Sequence, residues 1–458
     1  MTRLNVSLSD GLPVWPSRNY FHVVHTTMAT TSHAIRSGVF EATLAGGSPW
    51  VLIFSSAYVL DRRCLSAIGE AYSAVRRLGE YLVDAKPVDY VAILVSNQCR
   101  DFHGKERPSL YMDCVRGFYY ALRDLHVPVA FIGDHHLGRP EFLKRFRSLV
   151  LANAACLGDE QVNAVREYVK DGGGLIATYL TSACYGEGEM RDDFGLRDVF
   201  GVRYSGIERG PWSYIKVTRE HPVVKGFGVG DLIACGDIDF EFRERASAMA
   251  LGDNVRLNLV SGGRMAELVK PVEAYGSEYT CGKSAPIPYH ETGLPTIVVN
   301  DYGEGRSVYF SGQIGRLYWR LGHPYYHTLI ANAVEYVAGD PPLRVKGLGE
   351  YDVGAFRQED RLIVHVLNHT SNQKVLSRPM GTSLFSSPGY SSSDTCHAVK
   401  YSVPLHDLTL EVGGYGKPEK AYSALTDEEF SIRADKDKYV VRIPKLIDYE
   451  VIVVELGI

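Results

Sequence analysis

Short apolar runs alternate with amphipathic segments between residues 91 and 179, and this alternation constrains the fold most strongly. Brief runs that are apolar on both faces predict buried strands, whereas apolar residues at every third or fourth position predict helices. Strands that alternate with helices predict a parallel sheet with right-handed crossovers. The predicted strands are Val91–Val95, Val129–Ile132, Leu149–Asn153 and Leu175–Tyr179, and the predicted helices are Leu110–Leu125, Phe142–Phe146 and Asp159–Val169.

The N-terminal segment contains a smaller version of the same pattern. A helix is predicted from Thr31 or Ser32 to Leu44, and it ends at a pair of glycines. The apolar run Trp50–Phe54 predicts a strand buried on both faces. The apolar residues of 61–83 fall at steps of three and four, which predicts a long helix. The segment therefore amounts to one and a half βα units.

The pattern changes again after Asp340-Pro341-Pro342. Short strands with period-two alternation follow, for example Arg361–Leu367 and Tyr449–Leu456, and no long helix separates them. This arrangement predicts a β-sandwich. The predicted domains are therefore 1–85, 86–340 and 341–458, and in the middle domain a hairpin at Gly303–Gly305 is followed by a helix at Tyr325–Val337.

Composition excludes several classes of protein. The 458 residues are 45% hydrophobic and 22% charged, which is typical of a folded globular protein. A net charge of −5 argues against a nucleic-acid or acidic-membrane partner. No apolar run approaches the roughly 18 residues of a membrane span, and the N-terminus lacks the apolar stretch of a secretory signal. The eight cysteines form no C-x-x-C pair, so we expect buried thiols in a cytoplasmic protein with neither a metal nor a cofactor.

Catalytic signals are weak in the residues themselves. Cys184 follows a predicted strand within a run of small residues, but the leading glycine of a nucleophile elbow and a partner for the thiol are missing. Adjacent residues such as His135 and His136 rarely bind one metal ion, and we interpret His323 and His327 as capping and interface histidines. The pair of carboxylates that glycosidic cleavage requires cannot be identified from spacing. The acidic residues nearest the N-terminal strand are assigned to solvated helix faces: Glu41, Glu70 and Glu80.

Several motifs nevertheless resemble a known family. Residues 148–176, which contain Ser148-Leu-Val-Leu-Ala-Asn153, Val165-Arg-Glu-Tyr-Val169 and Gly172-Gly-Gly-Leu-Ile176, resemble the β-galactosidase trimerisation domain of family 42 glycoside hydrolases. The run from Tyr309 to Val334 is similar to the end of that domain, and Arg361–Thr370 resembles the start of the C-terminal β-domain. The resemblance covers roughly residues 86–458. It implies an amidotransferase-like (flavodoxin-like) parallel sheet followed by a β-sandwich.

The resemblance also implies a role for the N-terminal segment. Residues 1–85 resemble the last βα units of a TIM barrel, which in full takes about 250 residues. In the family, one catalytic glutamate ends strand seven and the other lies on strand four. Strand seven could only be Tyr20–Val24, which no acidic residue follows before Glu41, so no catalytic carboxylate can be assigned. The position of the amidotransferase nucleophile is Tyr179, which cannot supply a thiolate.

These observations predict a carbohydrate-active assembly protein. We expect a homo-oligomer, a trimer, or one subunit of a split glycosidase whose partner chain carries the other barrel strands. An active β-galactosidase-like hydrolase with a site at a subunit interface is the alternative, and a non-catalytic sugar-binding module is a third. The residues predicted to contact sugar are Tyr20, His22, His25, His33 and Trp50, and those predicted at an oligomer interface are Tyr318, Trp319, His323, Tyr325 and Tyr326.

Overall fold

A computed structural model describes residues 2–20, 29–53, 61–210, 212–236, 251–272, 287–370 and 401–457. The chain divides into two compact units. Unit 1 comprises Met1–Val88, His126–Pro128 and Pro341–Ile458, and unit 2 comprises Asp89–Leu125 and Val129–Asp340. In the part of the chain that the structure describes, no helix is both long and apolar enough to cross a membrane.

The N-terminal part of unit 1 contains a parallel βαβ arrangement. Strands β1 and β2 pair in parallel, with Ser17 opposite Trp50, and helix α2 connects them. Thr31 caps α2, because its side chain accepts a hydrogen bond from the Ala34 amide at 3.2 Å. The elements are α1 (Thr2–Leu8), β1 (Ser17–Asn19), α2 (Ser32–Leu44), β2 (Trp50–Leu52), α3 (Leu65–Arg77), α4 (Gly79–Leu82) and β3 (Lys86–Pro87).

Unit 2 is built on a nine-stranded mixed sheet. Its parallel part joins the four predicted strands to a fifth, and the remaining strands add to one edge in antiparallel fashion. The sheet order is β10-β9-β12-β13-β14-β7-β6-β4-β5 with β4 (Val91–Val95), β5 (Val129–Gly133), β6 (Ser148–Leu151), β7 (Gly174–Thr178), β9 (Trp212–Val217), β10 (Leu232–Gly236), β12 (Gly263–Pro271), β13 (Pro288–Tyr302) and β14 (Gly305–Phe310). Strands β8 (Val202–Glu208) and β11 (Asn254–Leu259) form a separate antiparallel pair.

The long helices of unit 2 agree closely with the sequence pattern, whereas the short helix predicted at 142–146 lies at Pro140–Leu143. The predicted helix at 110–125 begins two residues earlier, where Pro108 occupies the first turn. The predicted helix at 159–169 ends one residue later, and Gly172 with a φ of 107° follows it. The helices are α5 (Pro108–Asp124), α6 (Asp134–Leu137), α7 (Pro140–Leu143), α8 (Asp159–Lys170), α9 (Arg197–Phe200), α10 (Ile314–Leu321) and α11 (Pro324–Ala338), together with a π-helix at Cys99–His103 and a 3₁₀ turn at Pro222–Val224.

The C-terminal strands of unit 1 form two sheets. One has the order β15-β18-β21-β20, and the other has the order β19-β22-β17-β16-β3. Side chains such as Val345, Leu410, Val364 and Val454 fill the core that the two sheets share. The strands are β15 (Leu343–Lys346), β16 (Tyr351–Gln358), β17 (Arg361–Asn368), β18 (Leu405–Gly413), β19 (Pro418–Ser423), β20 (Ile432–Asp435), β21 (Lys438–Leu446) and β22 (Tyr449–Leu456).

Strand β17 differs from the alternating pattern that the sequence predicts. Residues 362–368 are all buried, because the five-stranded sheet is covered on both faces. Leu362 and Val364 face the four-stranded sheet, whereas Ile363 and Leu367 pack in a second core with α2 and α3. The N-terminal helices therefore bury their apolar sides against the C-terminal strands of the same unit.

Candidate functional site

The structure describes three of the five residues predicted to contact sugar: Tyr20, His33 and Trp50. His22 and His25 lie outside the described residues, as does Phe54 at the end of the predicted strand. Trp50 begins β2 and is 52% exposed, whereas Val51, Leu52 and Ile53 are half-buried. The prediction of a strand buried on both faces is therefore wrong. In the described part of the chain, β1 is the strand that pairs with β2, so a two-stranded sheet leaves the first residue open to water.

A polar cluster lies at the carboxyl ends of β1 and β2. Tyr20 is fully buried, and its hydroxyl donates to the Asp61 carbonyl at 2.9 Å. The Asp61 carboxylate accepts hydrogen bonds from the Ala29 amide at 2.7 Å and from the Arg63 guanidinium at 2.6 and 2.9 Å. These donors hold the pKa of Asp61 well below its usual range, Arg63 having the larger effect. An ionised and fully bonded carboxylate is suited to fixing a loop and not to acting as a general acid.

Asp61 is a residue that the sequence analysis missed. The sequence predicts a helix over 61–83, but in the structure α3 begins at Leu65. Asp61 lies before that helix, with its carboxylate toward Ala29 and Arg63. The sequence contained one signal for Asp61, because it is an acidic residue that follows a strand of a βαβ unit. Polar side chains collect at the carboxyl edge of parallel strands.

His33 takes part in a second polar cluster within unit 1. It is 4% exposed, and its Nδ1 lies 3.6 Å from Asp448 Oδ1 and 3.4 Å from the Ser402 hydroxyl. The Ser402 hydroxyl donates to Asp448 at 2.8 Å, and Arg36 reaches the second carboxylate oxygen at 3.4 Å. The contact with His33 is the main reason why the pKa of Asp448 falls to about 2. The cluster therefore joins the first turn of α2 to the turn between β21 and β22.

Replacing Asp448 by asparagine is expected to lower the free energy of unfolding of unit 1 by about 2 kcal/mol at neutral pH. Because the folded pKa of Asp448 lies below its unfolded value, its contribution is complete above about pH 4 and disappears toward pH 2. Denaturant unfolding of both proteins across this range measures the effect. Asp407→Asn is the control, since Asp407 and its partner Arg442 are both largely exposed and such pairs contribute little. Equal stability of the wild type and Asp448→Asn at pH 7 would contradict the assignment.

The three acidic residues that the sequence assigns to solvated helix faces are exposed in the structure. Glu41 is exposed on α2, Glu70 is 60% exposed and pairs with Arg36, and Glu80 is 67% exposed. All three lie on solvated helix faces, as the sequence predicts.

The turn after β7 has the shape of a nucleophile elbow without its chemistry. Tyr179 has a φ of 50°, a strained value for a bulky residue, and the Tyr309 hydroxyl donates to its carbonyl. The Tyr179 side chain is fully buried, with its hydroxyl 3.5 Å from the Asp253 carboxylate, and burial raises its pKa far above the usual value. A buried, protonated phenol at this position supplies no nucleophile.

Cys184 lies at the end of the same turn. Its thiol is 7% exposed and lies 3.8 Å from the Met190 sulfur. Contact with the Cys156 thiol, together with burial, raises the pKa of Cys184. All six described cysteines are free and buried, which confirms that prediction for them, whereas Cys281 and Cys396 lie outside the described residues. Because little of a thiol with a raised pKa is ionised at neutral pH, we do not assign Cys184 as the nucleophile of a hydrolysis.

The predicted interface residues lie on α10 and α11. Tyr318 and Trp319 are half-buried: Tyr318 donates to Asp124 at 2.6 Å, and the Trp319 ring packs at a tilt against Tyr120 with ring centroids 5.1 Å apart. His323 is exposed and caps α11 by accepting from the Tyr325 amide at 3.3 Å.

The two adjacent tyrosines of α11 differ in their surroundings. Tyr325 is 53% exposed. Tyr326 is 4% exposed and donates to the Ala234 carbonyl, so its ring belongs to the core of unit 2 and not to an interface.

Comparisons with known proteins identify what this arrangement resembles. Residues 90–213 match the family described as the beta-galactosidase trimerisation domain. A comparison with curated proteins found no match.

Solved structures resemble the whole chain. The alpha-L-fucosidase isoenzyme 2 of Paenibacillus thiaminolyticus has a TM-score of 0.77 and 16% identity over 100% of this chain and 63% of that protein. A beta-galactosidase from Bacillus circulans sp. alkalophilus has a TM-score of 0.65 and 14% identity over 99% of this chain and 57% of that protein. Gan42B, a GH42 beta-galactosidase from G. stearothermophilus, has a TM-score of 0.58 and 16% identity over 93% of this chain and 51% of that protein.

These likenesses are of fold, since the identities are low. The chain spans only 51% to 63% of the length of the three proteins. The match at 90–213 falls on four of the five parallel strands, β4 to β7, and on the turn after β7. Residues 90–213 therefore match the beta-galactosidase trimerisation domain, and the fold of the chain is similar to that of GH42 beta-galactosidases.

Proposed function

We propose that this chain is an assembly component of a carbohydrate-active protein related to family 42 glycoside hydrolases. The match of residues 90–213 to the trimerisation domain carries the proposal. Unit 2 then serves as an oligomerisation domain, and assembly positions the segments that bind sugar. The carboxylates described for unit 1 are either solvated or held in ion pairs, which suits such a supporting role.

The proposal includes the finer features of the fold. The parallel strands of unit 2, with a strained turn after β7, support an amidotransferase-like, flavodoxin-like origin for this sheet. The parallel β1–α2–β2 arrangement has the connectivity of a barrel βα unit, which supports residues 1–85 as the last units of a TIM barrel. The two facing sheets of unit 1 support a C-terminal β-sandwich. We place the protein in the cytoplasm, where the free thiols of the described cysteines remain reduced.

The proposed contact surface is the α10–α11 patch, which consists of Trp319, Leu321, His323 and Tyr325. Leu321 and Tyr325 are 38% and 53% exposed, and the Tyr325 ring lies 5.5 Å from Phe227 in an edge-on arrangement. Exposed aromatic residues beside an apolar side chain are typical of the buried centre of a protein interface. We therefore assign this patch to the contact between copies of the chain.

The purified chain is expected to be a trimer at micromolar concentration, and Tyr325→Asp is expected to raise the dissociation constant at least about tenfold, as for an interface anchor. A buried aspartate without a partner is costly, whereas the same change on an outer surface is not. Light scattering and sedimentation measure the mass. Tyr289→Asp is the matched control, because Tyr289 is 67% exposed on β13. A monomeric wild type would overturn the proposed assembly, and equal dissociation of the two variants would overturn the assignment of the patch.

A hydrolase whose site forms at a subunit interface is the second candidate. The cluster at the carboxyl ends of β1 and β2 favours it, because barrel enzymes carry their chemistry at this edge. His33, at the start of α2, lies toward this edge, whereas Trp50 begins β2 at the opposite end. We expect no turnover of aryl β-galactosides or aryl α-fucosides by the homogeneous chain. Hydrolysis that persists through repurification and disappears on changing one carboxylate of this chain would favour the hydrolase.

A further inference from the structure

Three buried thiols meet at the carboxyl edge of the parallel strands of unit 2. Cys99 begins the π-helix that follows β4, Cys156 follows β6, and Cys184 follows β7. The Cys156 amide donates to Cys99 Sγ at 3.3 Å, and Cys99 Sγ donates to the Cys156 carbonyl at 3.5 Å. Residues from three separate segments are therefore brought together by the fold.

Backbone hydrogen bonds hold Cys156 and Cys184 side by side. They form a parallel β-bridge, in which the Cys184 amide donates to the Ala155 carbonyl at 2.9 Å and the Leu157 amide donates to the Cys184 carbonyl at 3.2 Å. Paired residues of neighbouring strands lie about 4.8 Å apart and point to the same face. That separation lies within the range of Cα distances that a disulfide spans, about 4.4–6.8 Å. The two thiols also contact each other directly.

We propose that Cys156 and Cys184 form a reversible disulfide and are a modification site for peroxide oxidants. The Cys184 thiol releases its proton to solvent, and the thiolate attacks one oxygen of the peroxide. The O–O bond breaks, a sulfenic acid forms, and the departing hydroxide takes up a proton to give one water. The Cys156 thiol then attacks the sulfenic sulfur, an S–S bond forms, and a second water leaves. Two thiols are oxidised and one hydrogen peroxide is reduced to two waters.

The surroundings of the pair assign the order of these steps. Cys156 is fully buried, whereas Cys184 is 7% exposed and lies beneath Met190, which is 46% exposed. The Arg191 guanidinium lies over the Tyr185 ring, 3.8 Å from its centroid, beside this opening. The oxidant therefore reaches Cys184 first, and Cys156 resolves the intermediate. The bond would join the loops after β6 and β7 and fix the strained turn that contains Tyr179.

The pair can be tested by peptide mapping of the full chain. The folded protein is treated with hydrogen peroxide at about pH 9, which raises the thiolate fraction, and is then alkylated in denaturant and digested with trypsin. Tryptic peptides 148–166 and 171–191 contain one cysteine each. We expect them to appear as one linked species, about 2 Da lighter than their sum because two hydrogens are lost, and to separate when dithiothreitol is added.

Two outcomes would overturn the proposal. One is complete alkylation of both cysteines after treatment, and the other is oxidation of Cys184 to the sulfinic acid while Cys156 remains a free thiol. In Cys156→Ser, the linked species should be absent and dimedone should trap the Cys184 sulfenic acid. Cys235→Ser is the matched control, because Cys235 is fully buried in β10 with its thiol toward the Ile233 carbonyl, and this variant should give the wild-type linked species. Loss of the link in the control as well would mean that the bond depends on general packing and not on the aligned pair.

Discussion

Replacing Gly117 by alanine is expected to destabilise unit 2 by about 3 kcal/mol or more. Gly117 lies on the buried side of α5, where α10 crosses it, and a Cβ at this position would lie 1.6 Å from the Gly315 carbonyl oxygen. The obstacle is backbone and not the flexible end of a side chain, so the two helices must separate. Because α10 carries part of the α10–α11 patch, we expect the variant to lose its assembly as well as its stability.

Denaturant unfolding followed by tryptophan fluorescence measures this loss, since Trp319 on α10 is one of the four tryptophans that contribute to the signal. Gly69→Ala is the matched control. Gly69 is exposed on helix α3, and a Cβ there would meet nothing within 4 Å, so alanine should stabilise the helix by up to about 1 kcal/mol. Wild-type stability of Gly117→Ala would show that α5 and α10 do not pack at this distance.

Lowering the pH from 6.5 to 5 is expected to remove about 2 kcal/mol of stability from unit 1 through His365 alone. His365 is fully buried on β17, and burial lowers its pKa to about 3. Its Nδ1 lies 2.5 Å from the Tyr449 hydroxyl, and among the described residues Nε2 has no hydrogen-bond partner. In the unfolded chain the His365 imidazole takes up a proton near pH 6.5, whereas in the folded chain it stays neutral until about pH 3. The free energy of unfolding therefore falls as the pH decreases from 6.5 toward 3.

The comparison with His365→Gln isolates this contribution. The amide keeps a polar partner for Tyr449 but does not titrate, so the difference in pH slope between the two proteins should be about 1.4 kcal/mol per pH unit below pH 6.5. His406→Gln, at an exposed position on β18, is the control for the chemical change itself. Parallel curves for the wild type and His365→Gln would show that the imidazole is protonated in the folded state.

The strands of unit 2 could be predicted because their signal is local. Val91–Val95 and the run at Leu175 are apolar on both faces, and a strand covered on both sides of a sheet needs no more information than that. Helices α5 and α8 were equally readable from their apolar stripes and their flanking proline and glycines. The absence of a nucleophile at Tyr179 followed from residue identity, and the structure adds that the turn keeps its strained φ.

Contacts between distant segments could not be predicted in the same way. Nothing in the run at 361–368 says that one face meets a second sheet and the other meets α2 and α3. The sequence predicts His33 as a sugar contact, but it does not show that the imidazole lies beside Asp448 and Ser402, which are far along the chain. The pairing of Cys156 with Cys184 likewise depends on two loops that meet only when β6 and β7 lie side by side.

Sequence alone therefore determined the strands and the long helices between residues 91 and 179, their parallel arrangement and the likeness to the trimerisation domain. Tertiary structure decided which surfaces are covered, which polar groups are paired and which thiols touch. The physical reason is that periodicity and capping act over a few residues, whereas burial and ion pairing depend on groups that only the folded chain brings together.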